Sequence, residues 1–331
     1  MDRIGPRLAV LKLAAGAALA WAAPSRTELP IQSAKWQAEP QRFEELSSQP
    51  LEGAAIARNR EEARLFEIGR SAFRAPLLLG GQAARSGLSC ASCHSNGRRN
   101  PAFQFPGLSR APGTADVTSS LMSARRGNGV FDPRPIPDLA TPGKVPRTRG
   151  DGALESFIRG LIVEEFDGAE PPPLILRGLA AYVRAIGRPG CDLQARVPLR
   201  LATMTGDAAR AVEASAQAWQ GGDQAAARLL LTSARSTLGL IDERYNGAVL
   251  AGDRQAIRRA DLALLAIGQA MDRKDADVAT RLTAWKADLP GWRARLARSE
   301  ARSLFAAANL ARALGVTPRS PPARGGESPR R

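Results

Sequence analysis

Five consecutive residues, Cys90-Ala91-Ser92-Cys93-His94, constrain this chain more than any other stretch. Two thiols three positions apart, followed at once by an imidazole, suit few kinds of chemistry. His94 is the sole histidine and Cys191 the sole further cysteine, which makes a structural zinc site, with its four nitrogen or sulfur ligands, a poor fit. A redox dithiol of the thioredoxin kind sits where a strand meets a helix in an alternating α/β pattern, and no strand-rich pattern surrounds Cys90. A disulfide between the two thiols is the plainest alternative. One further reading uses all three side chains: the thiols add across the two vinyl groups of a haem, and the histidine lies against the iron. We therefore expect Cys90 and Cys93 to hold one covalent haem c, with His94 as the proximal iron ligand.

The amino end agrees with that chemistry. Arg3, Arg7 and Lys12 precede an apolar run from Leu13 to Trp21, and Ala20-Trp21-Ala22 supplies a small-residue cleavage pattern. Residues 1–22 thus read as a signal peptide cleaved near Ala22. The run is shorter than the ~20 apolar residues that span a bilayer, so the expected location is the periplasm. Cys191, left over once the haem has taken its pair, reads as a packed or surface thiol.

The formal net charge is +15. Removing the signal peptide takes away Arg3, Arg7 and Lys12 against Asp2 and leaves +13; two haem propionates would lower this to about +11. An exported basic protein has no nucleic acid to meet. The partners expected are a periplasmic redox protein with an acidic surface and, peripherally, an anionic membrane surface, with association that weakens in salt.

Pro24, Pro30, Pro40 and Pro50 punctuate residues 23–57, which read as an irregular arm with a short helix near Glu44. Asn59 and Glu62 then form a capping pair. Leu65, Ile68, Gly69, Ala72 and Phe73 recur at helical spacing up to Pro76, and the glycines of residues 77–89 make a loop that delivers the chain to Cys90. A second helix carries Ile175, Leu179, Tyr182, Val183 and Ile186 on one face.

In these residues the chain resembles class I c-type cytochromes. Those proteins cross an amino-terminal helix bearing a glycine and an aromatic with a carboxy-terminal helix bearing an aromatic. Gly69 with Phe73, and Tyr182, stand in those places. The resemblance implies that the helices meet near Gly69, where a missing side chain permits close approach. It also implies a Pro-x-Leu element after the proximal histidine. Pro106 and Leu108 match it, the proline carbonyl accepting the second imidazole N–H and the leucine packing on the haem, an outer shell that fixes ring orientation. An ordinary Pro-Gly turn accounts for the same residues. For the distal iron ligand Met122 is the candidate, in a setting like the methionine loop of monohaem cytochromes; Met204, and no methionine at all, are the alternatives.

Asp151 caps a predicted helix with Leu154, Phe157, Ile158, Leu161 and Ile162 as its apolar face, ended by Phe166-Asp167-Gly168. The spacing of elements from Arg58 to Arg188 is also similar to one half of the dihaem cytochrome c peroxidase and MauG-like family. The chain departs from that family in two ways. It has one haem motif where members carry two, and Thr148-Arg149-Gly150 stand before Asp151-Gly152 where a Met or His is usual.

Beyond Pro198 the sequence turns to Ala-, Arg- and Leu-rich helix, predicted over residues 207–219, 223–245, 253–271, 276–287 and 290–314, with Asp207, Asp223 and Asp253 as N-caps. The expected fold is all-α: a cytochrome-c-type haem domain over 58–190 followed by a helical bundle domain over 199–315, with a basic, disordered tail over 316–331. The function expected is single-electron transfer to or from a periplasmic redox partner. The alternative is a peroxidase or MauG-like oxidase with an open haem site, whose acid–base group would fall to a carboxylate such as Glu164 or Glu165, residues that read more simply as solvated positions on a helix.

Overall fold

The stretch expected to be an irregular arm is built into the body of the protein. The computed structural model describes residues 29–119, 121–146, 148, 150–187, 191, 192 and 194–317; the signal segment, its cleavage site and the tail beyond residue 317 lie outside the described residues. A 3-10 turn, Gln32–Trp36, leads to α1 (Arg42–Ser47), the helix expected near Glu44, and then to strand β1 (Ser48–Pro50). The Ala38 N–H donates to the Ala102 carbonyl at 2.7 Å, the Gln104 N–H to Trp36 at 3.0 Å and the Ala55 N–H to Ala185 at 2.8 Å. The prolines interrupt every local period. The partners that order the arm come from far along the chain and leave no local signature.

The next helix, α2 (Arg60–Ala72), opens as its sequence predicts: Asn59 Oδ1 accepts the Glu62 N–H at 2.9 Å, and the Glu62 carboxylate takes the Arg58 N–H at 2.8 Å. The predicted loop after Pro76 contains two short helices, α3 (Pro76–Leu79) and α4 (Gly81–Arg85), before α5 (Cys90–Cys93). Pro76 starts a helix here, because its missing N–H and fixed φ suit a first turn. Two antiparallel strand pairs follow: β2 (His94–Ser95) with β3 (Arg98–Arg99), and β4 (Thr114–Ala115) with β5 (Arg134–Pro135).

α6 (Ala153–Gly160) widens into a π turn, Leu161–Glu165, ahead of α7 (Pro173–Ala185). Asp151 Oδ1 accepts the Ala153 N–H at 3.1 Å, but Phe157, placed on the apolar face by its spacing, is 64% exposed. α2 and α7 cross at two glycines. A Cβ on Gly69 would stand 1.9 Å from the Gly178 carbonyl oxygen, so only a bare backbone permits the approach. Beside the crossing, Tyr182 packs on Phe73 and Phe66 with ring centroids 5.1 and 5.4 Å away.

Strand β6 (Arg196–Pro198) pairs antiparallel with β1. Five helices complete the described chain: α8 (Leu201–Gln220), α9 (Gln224–Arg244), α10 (Ala251–Arg273), α11 (Val278–Ala297) and α12 (Ala307–Leu314). Asp223 is the N-cap that its sequence predicts, accepting the Ala226 N–H at 3.0 Å. Asp207 and Asp253 instead lie inside helices that start earlier. Pro290, expected to begin a helix, lies inside α11, where buried Leu282, Trp285, Leu289 and Leu296 hold one continuous face against the bundle and packing outweighs the local propensity.

The protein is predominantly helical, and among the described residues every strand belongs to a two-stranded pair. No described helix is long and apolar enough to cross a membrane. The main apolar core runs from Trp36 through α2 and α7 to Leu296, a smaller cluster joins Ile31, Ala34 and Leu46 of the arm to Leu310 of α12, and the Ser233 hydroxyl donates to the Ser71 carbonyl at 2.7 Å. Buried residues from both segments expected as domains, 58–190 and 199–315, contribute to that main cluster.

Candidate functional site

Ser89 and Ser92 make the turn that presents the two cysteines. The Ser89 N–H donates to Ser92 Oγ at 3.0 Å, a side-chain cap that closes one turn of helix. Cys90 and Cys93, three positions apart, consequently lie on one side of α5. The Ala91 N–H is fixed to the Phe73 carbonyl at 3.1 Å, which ties the turn to the end of α2. Asn100 braces it from behind: its N–H donates to Cys93 at 3.0 Å and its amide to the Ser92 carbonyl at 2.8 Å.

Both cysteines are free thiols, and burial pushes each up to about 12. His94 begins the β2–β3 hairpin, opposite Arg99. The hairpin turns through Asn96 and Gly97, both at positive φ. A Cβ at Gly97 would stand 2.1 Å from Ile186 Cδ1, so the turn lies directly on the end of α7.

Burial pushes the His94 imidazole down to about 4, against the Pro137 backbone and the Asp138 carboxylate, which favour its charged form. The ring is neutral at physiological pH, as a metal ligand must be. Its Nδ1 is buried with no hydrogen-bond partner, which costs about 1–3 kcal/mol unless something meets it. Two thiols on one side of a helical turn, a neutral imidazole next along the chain and an unmet ring nitrogen fit the requirements of a covalently attached haem. Among the described residues no three His, Cys, Asp or Glu side chains gather as a metal cage.

The remaining expected site residues are placed as follows. Leu108 is buried, 1% exposed. Pro106 is exposed, in a turn that the Leu108 N–H closes on Phe105 at 3.1 Å. The backbone that favours the charged form of His94 is that of Pro137, brought back by the loop after β5. The sequence shows this loop only as alternating prolines, and nothing local says that one of them returns to the histidine. Met122 is buried in a turn closed by its own N–H on Ser119 at 3.0 Å. The Ser123 hydroxyl beside it donates to the Glu164 carbonyl and to Asp167. Met204 is buried in α8.

Glu165 corrects a second expectation. Read as a solvated helix residue, its side chain is only 7% exposed, because the π turn moves it out of α-helical register. One oxygen meets Arg126 at 2.7 Å, the other is buried without a partner, and burial raises its carboxyl above the usual range. Glu164 stays 44% exposed, as expected of a solvated carboxylate.

An ion network that the sequence does not signal joins the arm, the hairpin and α8. Glu52 meets Arg70 at 2.8 Å and Arg74 at 2.9 Å and accepts the Tyr182 hydroxyl at 3.0 Å. Arg74 also donates to Asn96, and Arg70 to Asp207 on α8. Burial pushes the Glu52 carboxyl up, but the two guanidiniums outweigh it and hold the group below its ordinary range. Beside this network is a cleft of about 750 Å³ lined by Ala91 and Ser92, the residues between the cysteines, and by Arg235 and Asp261 of the bundle, but by neither cysteine.

Comparison with protein-family models, with curated proteins and with solved structures finds no match.

Proposed function

We propose that the chain is an exported c-type cytochrome with one covalent haem c, in which a cytochrome-c-type region around Cys90–Cys93 transfers single electrons to or from a periplasmic redox partner. The observation that carries the reading is the meeting of two free, half-buried thiols one helical turn apart with a neutral imidazole whose buried Nδ1 has no partner. Bound haem supplies the one-electron couple. Cys90 and Cys93 anchor it through thioether bonds, and His94 is its proximal ligand. Leu108 and Phe103 exclude water from the apolar surroundings. Met122 is the distal ligand in this reading; a soft thioether favours the reduced state and raises the potential. The excess of cations draws an acidic partner and, peripherally, an anionic membrane surface.

A peroxidase or MauG-like oxidase is the second reading, and Glu165 is the observation that favours it. A buried carboxyl held above its usual range keeps its proton at higher pH and can serve as an acid–base group.

The test is an absorption spectrum, ferric and ferrous, of protein matured in a periplasm that attaches haem, compared with Met122→Ala. The expected parent has covalent haem and a ferric sulfur-to-iron charge-transfer band that the substitution abolishes. A high-spin parent, unchanged by Met122→Ala, would remove Met122 from the iron and favour the oxidase. Turnover of hydrogen peroxide then decides between the readings.

A further inference from the structure

We infer that the arm acts on the candidate haem site: through Pro50 and Gln37 it holds Asn96 and Asn100, two positioning residues that grip both flanks of His94 and steady that ligand, an inference that rests on the haem reading above. The motif is carried by very little regular structure. Cys90–Cys93 make one helical turn, and the hairpin that begins at His94 has two residues in each strand. A single turn and so short a hairpin are each marginal alone. The place of His94 therefore depends on what grips its flanks.

Asn100 grips the side before the histidine. It is 2% exposed, and its amide is committed in three directions: Nδ2 donates to the Ser92 carbonyl at 2.8 Å and to Gln37 Oε1 at 3.2 Å, and Oδ1 accepts the Ala102 N–H at 3.0 Å. An inverted amide would lose all three bonds, so the side chain has one orientation. Its backbone N–H takes the Cys93 carbonyl at 3.0 Å, and one residue thus caps the last two carbonyls of the motif turn. Gln37 is fixed in its own right. Its carbonyl accepts from Arg42 Nε at 2.6 Å, and its backbone forms a bridge with Phe103.

Asn96 grips the other side. The Gly97 N–H closes the hairpin turn on the His94 carbonyl at 2.9 Å, and positive φ at 96 and 97 is all that this turn needs; glycine would supply it at both places. The asparagine adds two bonds that the turn does not require. Nδ2 donates to the Pro50 carbonyl at 2.9 Å, and Oδ1 accepts from Arg74. Pro50 lies on β1, opposite Arg196 of β6. Other holds come from elsewhere, where the Ala91 N–H meets the Phe73 carbonyl and the Leu139 N–H the Gly97 carbonyl. None of these uses the arm, so substitution can separate the two.

The experiment binds nitric oxide to full-length ferrous protein matured with haem, after mass spectrometry has established covalent attachment. All variants are built on Met122→Ala, which leaves the distal position open. Nitric oxide weakens the bond opposite to it, so the ratio of five- to six-coordinate nitrosyl in the EPR spectrum reads how firmly His94 is held. Buffer conditions are those in which urea denaturation shows parent and variants fully folded, so a general loss of stability does not move the ratio. Asn96→Gly keeps the backbone turn and removes both side-chain bonds. Gln37→Met keeps the length of the side chain and removes its hydrogen bond. Arg134→Gln, on an exposed residue paired with Asp132, is the control.

In Asn96→Gly the ratio should rise about fivefold, the effect of a lost buried hydrogen bond. Gln37→Met should raise it by less, and the control should leave it where it was. Variants within about twofold of the parent, a control that shifts as far as Asn96→Gly, or a parent already wholly five-coordinate would overturn the positioning role and leave the haem reading standing. A parent without covalent haem would overturn both. Should Asn96→Gly not accumulate, Gln37→Met alone decides by the same criterion.

Discussion

The two halves of the chain use backbone in opposite ways. From α8 onward long helices follow one another through brief turns, and their buried faces are largely Ala and Leu. Between α3 and the end of α7 the path is irregular, with two short strand pairs, a π turn and many tight bends. Among the described residues eleven glycines at positive φ fall from Gly80 to Gly187 and three from Gly222 onward, so left-handed backbone is concentrated where the candidate site is built. Regular helix maximises buried area for each residue ordered, whereas irregular backbone brings distant residues such as Arg98 and Asp138 face to face. The bundle supplies interior that the site-bearing half, folded as it is, would lack.

The contrast is sharpest at the glycines. Gly69→Ala should be the most damaging single change, because its Cβ would overlap the Gly178 carbonyl and neither helix backbone can yield. A loss of about 4 kcal/mol or more in urea denaturation is expected, and a loss below 1 kcal/mol would show that the crossing is not the rigid joint described here.

Next in size is Glu52→Ala, which strips the shared carboxylate from Arg70, Arg74 and Tyr182 and should cost about 3 kcal/mol. Its pH dependence has a definite sign. The Glu52 and Asp207 carboxyls are held below their usual values of 4.5 and 3.8, so their contribution is present above those values and disappears as pH falls through the lower folded ones. Glu45, Glu67 and Glu243 are raised by burial and run the other way, favouring the folded state as pH falls toward 4.5. The gap between parent and Glu52→Ala should therefore narrow between pH 7 and pH 3; a constant gap would mean that packing, not charge, joins the arm to α2.

Within the bundle, Tyr245→Phe removes a hydroxyl that donates to the Leu296 carbonyl at 2.8 Å and should cost about 1 kcal/mol. Gly239→Ala should do the reverse. This exposed glycine inside α9 has nothing within 4 Å of a new Cβ, and the substitution should stabilise by roughly 0.5–1 kcal/mol. The opposite signs of Gly69→Ala and Gly239→Ala, measured in one denaturation series, test the contrast between the halves directly.

What the sequence discloses follows the range of the interaction. Asn59 with Glu62, Asp223, and the spacing around Gly69 and Tyr182 act over a turn or two and are legible without coordinates. The cysteines and histidine are legible because they stand next to one another in the chain. Asp138 is not, because its meeting with Arg98 depends on a loop that returns after forty residues. Glu165 is misread because a π turn breaks the period on which the reading relies. Pro290 is misread because local propensity yields to a packed face of four residues.

The β1–β6 pair also has a consequence in time. Arg196 reaches the Ser48 hydroxyl across 148 residues of chain, so the strap over the arm cannot fasten until everything between has been made and delivered. A chain arriving amino end first exposes Cys90, Cys93 and His94 well before Arg196–Pro198 follows. On the haem reading, the length of polypeptide between the motif and its strap acts as a clock, and the interval it sets is the one in which the attachment machinery has open access to both thiols.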